Sequence, residues 1–478
     1  MQTPELLNCE KEPIHIPGKI QNHGFLIAID TSSTIISCSD NIHDFLPVNA
    51  REILNNSLQI FDKFLQKSDH IDFFTRFIPD RVKLDIWDFT NPYSVQFYDI
   101  SFYLIISKSA NYYLLEFDPV KSYPIADFNG LVRRSLSDIL ANKQLSGFLS
   151  KCAFIMRKII QYDRVMIYKF HEDGHGEVIA EDKEKSLNPF LGLHYPASDI
   201  PKQARELYKV NTVRLIADVD QKTANLISNI IPLNNPLDLT DSVLRAVSPV
   251  HIQYLKNMKV ASSFSISLIH EGELWGLIAC HNYSPRFIDY KGREAASLLG
   301  EVISSTLGYQ QQEENQEKKH SFKIAVQTLA KQLSQANSIK EALFEKKITL
   351  LDAVDSTGSV LFIDNSICKI GETPDELFLE NLIQWLNKNM QDQVYFTSRL
   401  PLEFPLAQKH KNLASGVLAL RLSKEVNDYL IWLRPEVITK INWAGNPDKP
   451  TEYDEDQKLK LSPRKSFEKW SQTVTNTS

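Results

Sequence analysis

The chain has 478 residues, 43% of them apolar and 23% charged, with a net charge of -6. That length suits about three domains, each able to bury its own core, and the apolar fraction excludes a largely disordered chain. The charge balance lacks the concentrated basic surface of a nucleic-acid binder. The start, Met1-Gln2-Thr3-Pro4-Glu5, has neither the basic region nor the apolar core of a leader. No apolar run reaches the roughly 18 residues that span a bilayer. A cytoplasmic protein with neither a nucleic-acid nor a membrane partner is expected. Five scattered cysteines, Cys9, Cys38, Cys152, Cys280 and Cys368, have no Cys-x-x-Cys spacing, so free thiols in a reducing compartment are expected.

Residues 1–125 mix β-rich runs, such as those at 25–30 and 102–107, with short helical patterns and read as one small α+β domain. A second domain, 126–310, opens with a helical segment at 148–160, followed by strands at 165–170 and 177–180. A helix then starts near Pro201, where the missing N–H costs nothing. Residues 221–242 hold Pro232, Pro236 and several Asn and Asp, and read as a long irregular excursion of a functional kind. The domain closes with runs at 263–268 and 274–281 around a Glu271-Gly272 turn. In the first run Ser263, Ser265 and Ser267 share one face, which could border a cavity or face solvent.

Residues 292–345 contain no proline and are rich in Glu, Gln, Lys, Ala and Leu, the composition of one or two long connecting helices. Their apolar positions Leu298, Leu299, Val302, Ile303 and Leu307 could pack on the chain's own core or on the same helix of a second subunit. The third region, 311–478, is again α+β and ends in a polar arm from Trp443 to Trp470.

His171-Glu172-Asp173-Gly174-His175 matches the zinc-protease pattern, but that motif works only on a helix. Here Asp173-Gly174 lies between two β-patterned runs and reads as a hairpin turn, so no metal site is expected. The sequence contains no phosphate-cradling loop, nucleophile turn or kinase nucleotide loop. The chain reads as a binder and not an enzyme.

The informative residues lie in four ordered motifs. They are Cys9-Glu-Lys-Glu-Pro-Ile-His-Ile-Pro-Gly18, His194-Tyr-Pro-Ala-Ser-Asp-Ile-Pro-Lys-Gln-Ala-Arg205, Leu244-Arg-Ala-Val-Ser-Pro-Val-His-Ile-Gln-Tyr-Leu-Lys-Asn-Met258 leading into Leu274-Trp-Gly-Leu-Ile-Ala-Cys-His281, and Ser462-Pro-Arg-Lys-Ser-Phe467. Together they resemble the signatures of bacterial phytochromes over nearly the whole chain, with a weak likeness between about 320 and 430. The resemblance implies successive PAS, GAF and PHY domains with antiparallel sheets, long connecting helices, an N-terminal knot and a PHY tongue. It further implies a red/far-red photoreceptor whose GAF domain holds biliverdin IXα, a linear tetrapyrrole.

By position in these motifs, Arg214, Arg245, Ser248, Ser263 and Ser265 would hold the two propionates. His251 and the backbone carbonyl of Asp199 would lie near the pyrrole nitrogens, with Ile200 and Pro201 beside them, and His281 would bond the carbonyl of the outer ring. Met166, Tyr168, Tyr195, Tyr208 and Tyr254 would wall that ring. Plant-type members tether the bilin through a cysteine at the position of Val250. Bacterial members use an N-terminal cysteine, which here is Cys9, as a thioether. Reaching the pocket would require the N-terminal segment to pass through the 221–242 excursion. In the tongue, Arg464 would pair with Asp199 in the dark, and Ser466 would replace it after light. A homodimer through the long helices and a downstream histidine kinase or response regulator complete what the resemblance implies.

Lys259 stands where the family usually has Gly, Asn22 stands where Pro is common, and the chain stops soon after the tongue. A colourless GAF sensor for a cyclic nucleotide would need no N-terminal thiol, and a light-regulated kinase would need a nucleotide-binding domain. The resting form is not decided by these residues, although Met166 leans toward the red-absorbing one.

Overall fold

Short β-branched and aromatic runs punctuated by turn residues build the sheets of this chain, nearly all of their pairings antiparallel. The computed structural model describes residues 12–66, 72–86, 91–109, 111–121, 145–229, 237–422, 427–447, 451–453, 459–461, 467 and 469–476. Met1–Gln310 and Asn442–Trp470 form one compact unit, and Gln311–Ile441 with Ser471–Ser478 form another.

The first sheet of the larger unit contains β1 (Lys19–Gln21), β2 (Phe25–Asp30), β3 (Ile35–Ser39), β4 (Tyr93–Phe97), β5 (Ile100–Ser109) and β6 (Tyr112–Pro119). One face is packed with aromatic rings, among them Phe25, Phe61, Phe74, Phe97, Phe102 and Phe117. The second sheet contains β7 (Arg164–Phe170), β8 (Gly176–Lys183), β9 (Leu193–Tyr195) and β10 (Val213–Ile216). The last strand of the first sheet is β11 (Thr223–Ser228), and β12 (Ser262–His270) and β13 (Glu273–Asn282) belong to the second. In the second sheet these strands run in the order β10, β12, β13, β7, β8, β9, and the sheet continues past β9, where Asn442 and Trp443 pair in parallel with Leu193 and His194.

Helices α1 (Leu145–Ile160) and α4 (Tyr290–Gln335) flank the second sheet's core, while α2 (Lys202–Val210) and α3 (Pro249–Asn257) lie between its strands in sequence. Phe264, Ile266 and Leu268 of β12 pack with Phe148, Cys152 and Met156 of α1 and with Leu299, Ile303 and Leu307 of α4. Those three α4 positions therefore face the chain's own core, whereas Leu298 is 51% exposed.

The excursion expected to be irregular at 221–242 contains β11, a correction to the sequence reading. Its backbone groups are satisfied on both sides, with Ala224 opposite Ile20 of β1 and Ile227 opposite Cys38 of β3. Ala224 and Leu226 join a small core with Ile20, Leu26, Ala28 and Leu244. The neighbouring prolines and asparagines hid a strand whose partners lie some 190 residues away.

The two arms of this excursion hold the N-terminal segment between them. On one side Leu226 N donates to Gly18 O at 3.0 Å; on the other, Gln21 N donates to Leu244 O at 2.7 Å and Ala246 N to Lys19 O at 3.1 Å. Leu239 N reaches His15 O at 2.8 Å. Glu116 of β6, fully buried, accepts bonds from Leu244 N, Val243 N and the Ser242 hydroxyl, which anchors the returning arm to the first sheet. Asp118 of the same strand pairs with Arg293 of α4 at 2.9 Å, both buried. With Asp118 so engaged, burial and the Arg293 charge keep His23 neutral despite its 3.7 Å approach to that carboxylate.

In the smaller unit, β14 (Gly358–Ile363), β15 (Ser366–Gly371), β16 (Val394–Thr397), β17 (Gly416–Arg421) and β18 (Tyr429–Arg434) form a sheet in the order β15, β14, β18, β17, β16. Helix α5 (Glu376–Asn389) buries Phe378, Leu379, Leu382, Ile383 and Leu386, and the Asp375 side chain caps its start by accepting from Phe378 N at 2.9 Å.

Helix α3 ends in a left-handed turn. Lys259 has φ of 60°; its N–H meets Lys256 O and the Val260 N–H meets Leu255 O, both at 2.9 Å, while Val260 and Leu255 pack together. This geometry explains why glycine is the usual residue here. Lys259 is exposed. Lys259→Gly is expected to stabilise the larger unit by about 1 kcal/mol; urea unfolding followed by far-UV dichroism checks this, and an unchanged or lowered midpoint would contradict it.

Candidate ligand-binding site

A cavity opens where α2, α3, β10 and the N-terminal segment meet. Among the residues placed there from sequence, Asp199, Ile200, Pro201, Tyr208, Arg214, Arg245, Ser248, His251, Tyr254 and Ser265 line it. Glu12, Ile14, Gln203 and Asn211 line it too and were missed. Glu12 was within reach of the sequence reading, because it belongs to the Cys9–Gly18 motif.

Each side chain is set by its element. Ser248 caps α3, accepting from Val250 N at 3.3 Å while its hydroxyl donates to Glu12 Oε2 at 2.7 Å. That cap fixes the first turn, from which His251 and Tyr254 project one turn apart with near-parallel rings. Tyr254 OH donates to Asp199 Oδ2 at 3.2 Å, and Gln203 of α2 donates to Glu12 O at 3.1 Å. Ser267 donates to Tyr208 O at 2.7 Å, so the serine face of β12 is neither solvated nor empty but covered by α2 and the cavity.

Arg214 and Arg245 dominate the electrostatics. Arg245 donates to the carbonyls of Leu239 and Thr240 at 3.0 and 2.8 Å, and Arg214 to those of Val243, Arg245 and Ala246. Among the described residues neither forms an ion pair with a carboxylate. Burial first, and then the neighbouring Arg245 charge, bring the Arg214 guanidinium down to about 9, and burial lowers Arg245 as well. Two desolvated cations side by side form a site for an anion.

His251 is lowered to about 4 by burial and by the Arg214 charge. His281 is lowered to about 3 by burial, then by Arg164 and His251. Both imidazoles are neutral at pH 7. His281 Nδ1 is buried and has no hydrogen-bond partner among the described residues. His281 and Ser263 are register partners on β13 and β12, and neither lines the cavity itself. Met166, Tyr168 and Tyr195 form an apolar cluster that adjoins the cavity through Ile200 and Tyr208. The Tyr168 ring lies over Gly176, where a Cβ would stand 1.9 Å from it, so only glycine admits the ring there.

Ala444 is buried in the same cluster, Phe467 packs against it, and Phe467 meets the Tyr254 ring edge-on at 5.2 Å. Cys9, Arg464 and Ser466 lie outside the described residues.

Comparison with known proteins fits this arrangement. Residues 9–120 match the PAS fold, 144–309 the GAF domain and 323–478 the phytochrome region. Cyanobacterial phytochrome B of Nostoc sp. is 36% identical over 479 residues, covering 98% of this chain and 63% of that protein. The chain thus spans less than two thirds of that relative. A bacteriophytochrome of Xanthomonas campestris pv. campestris is 31% identical, over 98% of this chain and 74% of its own length. The crystal structure of a bacteriophytochrome from the photosynthetic bacterium R. palustris superposes with a TM-score of 0.83 at 30% identity, covering 98% of this chain and 94% of that one. The three matched domains in series, the shared α+β fold and the extent of these likenesses establish that the chain belongs to the phytochrome family, as a PAS–GAF–PHY photosensory module.

Proposed function

We propose that this chain is a red/far-red light receptor that holds biliverdin IXα in the cavity, tethered as a thioether to Cys9, and passes its signal to a histidine kinase or response regulator. The observation that carries this reading is the buried Arg214–Arg245 pair, bonded only to backbone carbonyls among the described residues and set beside the neutral His251. This donor set fits an open-chain tetrapyrrole, which presents two carboxylates at one edge and N–H groups at its centre.

When bound, biliverdin supplies red-light absorption and isomerisation. The protein's part is to bind and orient. Arg214 and Arg245, with Ser248 and Ser265, hold the propionates, and Ser263 extends the same face of β12 behind them. Neutral His251 and the Asp199 carbonyl accept from the pyrrole N–H groups. His281, neutral and with an Nδ1 that has no partner among the described residues, supplies a hydrogen bond to the outer-ring carbonyl. Ile200, Pro201, Tyr208, Tyr254 and the Met166, Tyr168 and Tyr195 cluster exclude water.

In the signalling step Asp199 exchanges Arg464 for Ser466. Tyr254 bonds Asp199 and touches Phe467, which puts one side chain in reach of both the cavity and the arm. A homodimer along the outward positions of α4, Leu298 among them, transmits the change. Among the described residues no helix is long and apolar enough to cross a membrane.

Purified chain mixed with biliverdin is expected to give a red band that photoconverts to a far-red form. Cys9→Ser is expected to abolish covalent attachment, read on denaturing gels. The absence of a red band in the wild type would refute the proposal in favour of a colourless ligand.

The neutral histidines also set a pH dependence. His281 has a folded pKa near 3 against an ordinary 6.5, so the unfolded chain takes up its proton first. Its contribution to stability is complete above pH 6.5 and lost as pH falls toward 3. Glu116 and Asp118, raised by burial, work in the opposite sense, and comparison with a single-site variant cancels their part. Between pH 6.5 and 5, stability of the chain without chromophore is expected to fall more steeply in the wild type than in His281→Gln, by about 1 kcal/mol per pH unit. Equal slopes in urea titrations would contradict this.

A further inference from the structure

We infer that His171, His175 and His194 form a binding site for a divalent transition-metal ion of the zinc class, with Glu177 at its edge. One ligand nitrogen from each imidazole lies within 4.8 Å of the others. The sequence pattern at 171–175 fails as a zinc-protease helix, and the structure bears that out: His171 N donates to His175 O at 2.8 Å and Gly174 has φ of 85°, the geometry of a hairpin turn. The turn nonetheless does what the helix would have done. It folds position i+4 back over position i, so that the His171 and His175 rings stack with centroids 4.2 Å apart and planes 7° apart. The third ligand comes from β9, whose pairing with β8 sets His194 opposite Glu177.

The surroundings are those of a metal-binding histidine cluster. Asp173 accepts from His175 Nδ1, which makes Nε2 the lone-pair nitrogen, and that Nε2 lies within hydrogen-bond distance of His194 Nδ1, at 3.1 Å. Glu177 contacts His171 Nε2 at 3.1 Å and approaches His194 Nε2 at 3.9 Å. Tetrahedral coordination at ordinary Zn–N lengths separates ligand nitrogens by about 3.3 Å, so small side-chain rotations would close the site. His175 and His194 are largely covered, while His171 remains open to solvent as a path of entry.

Three imidazoles and a carboxylate of borderline softness suit Zn²⁺ rather than Mg²⁺ or Ca²⁺. Glu172, exposed on the turn, has no reacting position to serve, so the site is structural and not hydrolytic. Its neighbour is Trp443, whose ring meets His175 and His194 edge-on at 5.7 and 5.9 Å and whose backbone pairs with His194. An ion here would lock the β7–β8 turn to β9 at the point where the arm begins.

The test is a titration of the whole chain, stripped with chelator, with Zn²⁺ alone, read by calorimetry and by competition with a metal-sensitive dye. One equivalent is expected to bind saturably, at least tenfold more weakly in His175→Ala and His194→Ala and unchanged in His43→Ala, a remote exposed histidine. Far-UV dichroism checks that the variants fold. Asp173→Asn, a change at a 71% exposed side chain, gives a second reading with the fold undisturbed, about tenfold weaker. Absence of saturable binding, or one equivalent retained in both alanine variants as thiol-bound zinc would be, overturns the proposal.

Discussion

Residues 15–21 hold the candidate site together, because both arms of a distant excursion close on them through main-chain hydrogen bonds. The outgoing arm donates from Leu226 and the returning arm exchanges bonds through Leu244 and Ala246. Each of these contacts joins residues roughly two hundred positions apart, so the ordering cost is met only when all of them form together. The same register places Glu12 on the Ser248 cap of α3 and Arg245 at the cavity wall. Glu116, buried under the returning arm, gives this arrangement its second fixed point.

The electrostatics follow from that closure. Once the excursion covers Arg214 and Arg245, both lose water and, among the described residues, receive only backbone carbonyls in return, an arrangement that is costly unless an anion arrives. His251 and His281 meet the same desolvation by remaining neutral. The larger unit thus combines a well-packed aromatic and aliphatic core with a small region of unmet charge. Such local conflict between stability and polarity marks a binding site rather than a packing fault.

Much of this was legible in the sequence, for identifiable reasons. Alternation and turn residues gave β7, β8, β12 and β13 and the long α4, and motif position gathered ten side chains that line one cavity. Strand β11 was hidden because its partners are remote and its neighbours are turn formers. The nearness of His171, His175 and His194 was not legible because the pattern was tested against a helix, whereas a hairpin brings the same spacing together and strand pairing sets His194 beside it. Lys259 looked like a local exception, and its left-handed backbone shows that the position keeps the glycine geometry without the glycine. Cys9, Arg464 and Ser466 fall outside the described residues, so their parts rest on motif position.

The central claim is that two buried guanidiniums hold the carboxylates of a tetrapyrrole. Its most direct test compares binding of biliverdin with binding of its dimethyl ester, which keeps the ring system and removes both charges. The account predicts that the ester binds about 100-fold more weakly, equivalent to roughly 3 kcal/mol of charge-assisted hydrogen bonding, and that Arg245→Ala narrows the gap. Equal affinity for the acid and the ester would contradict it.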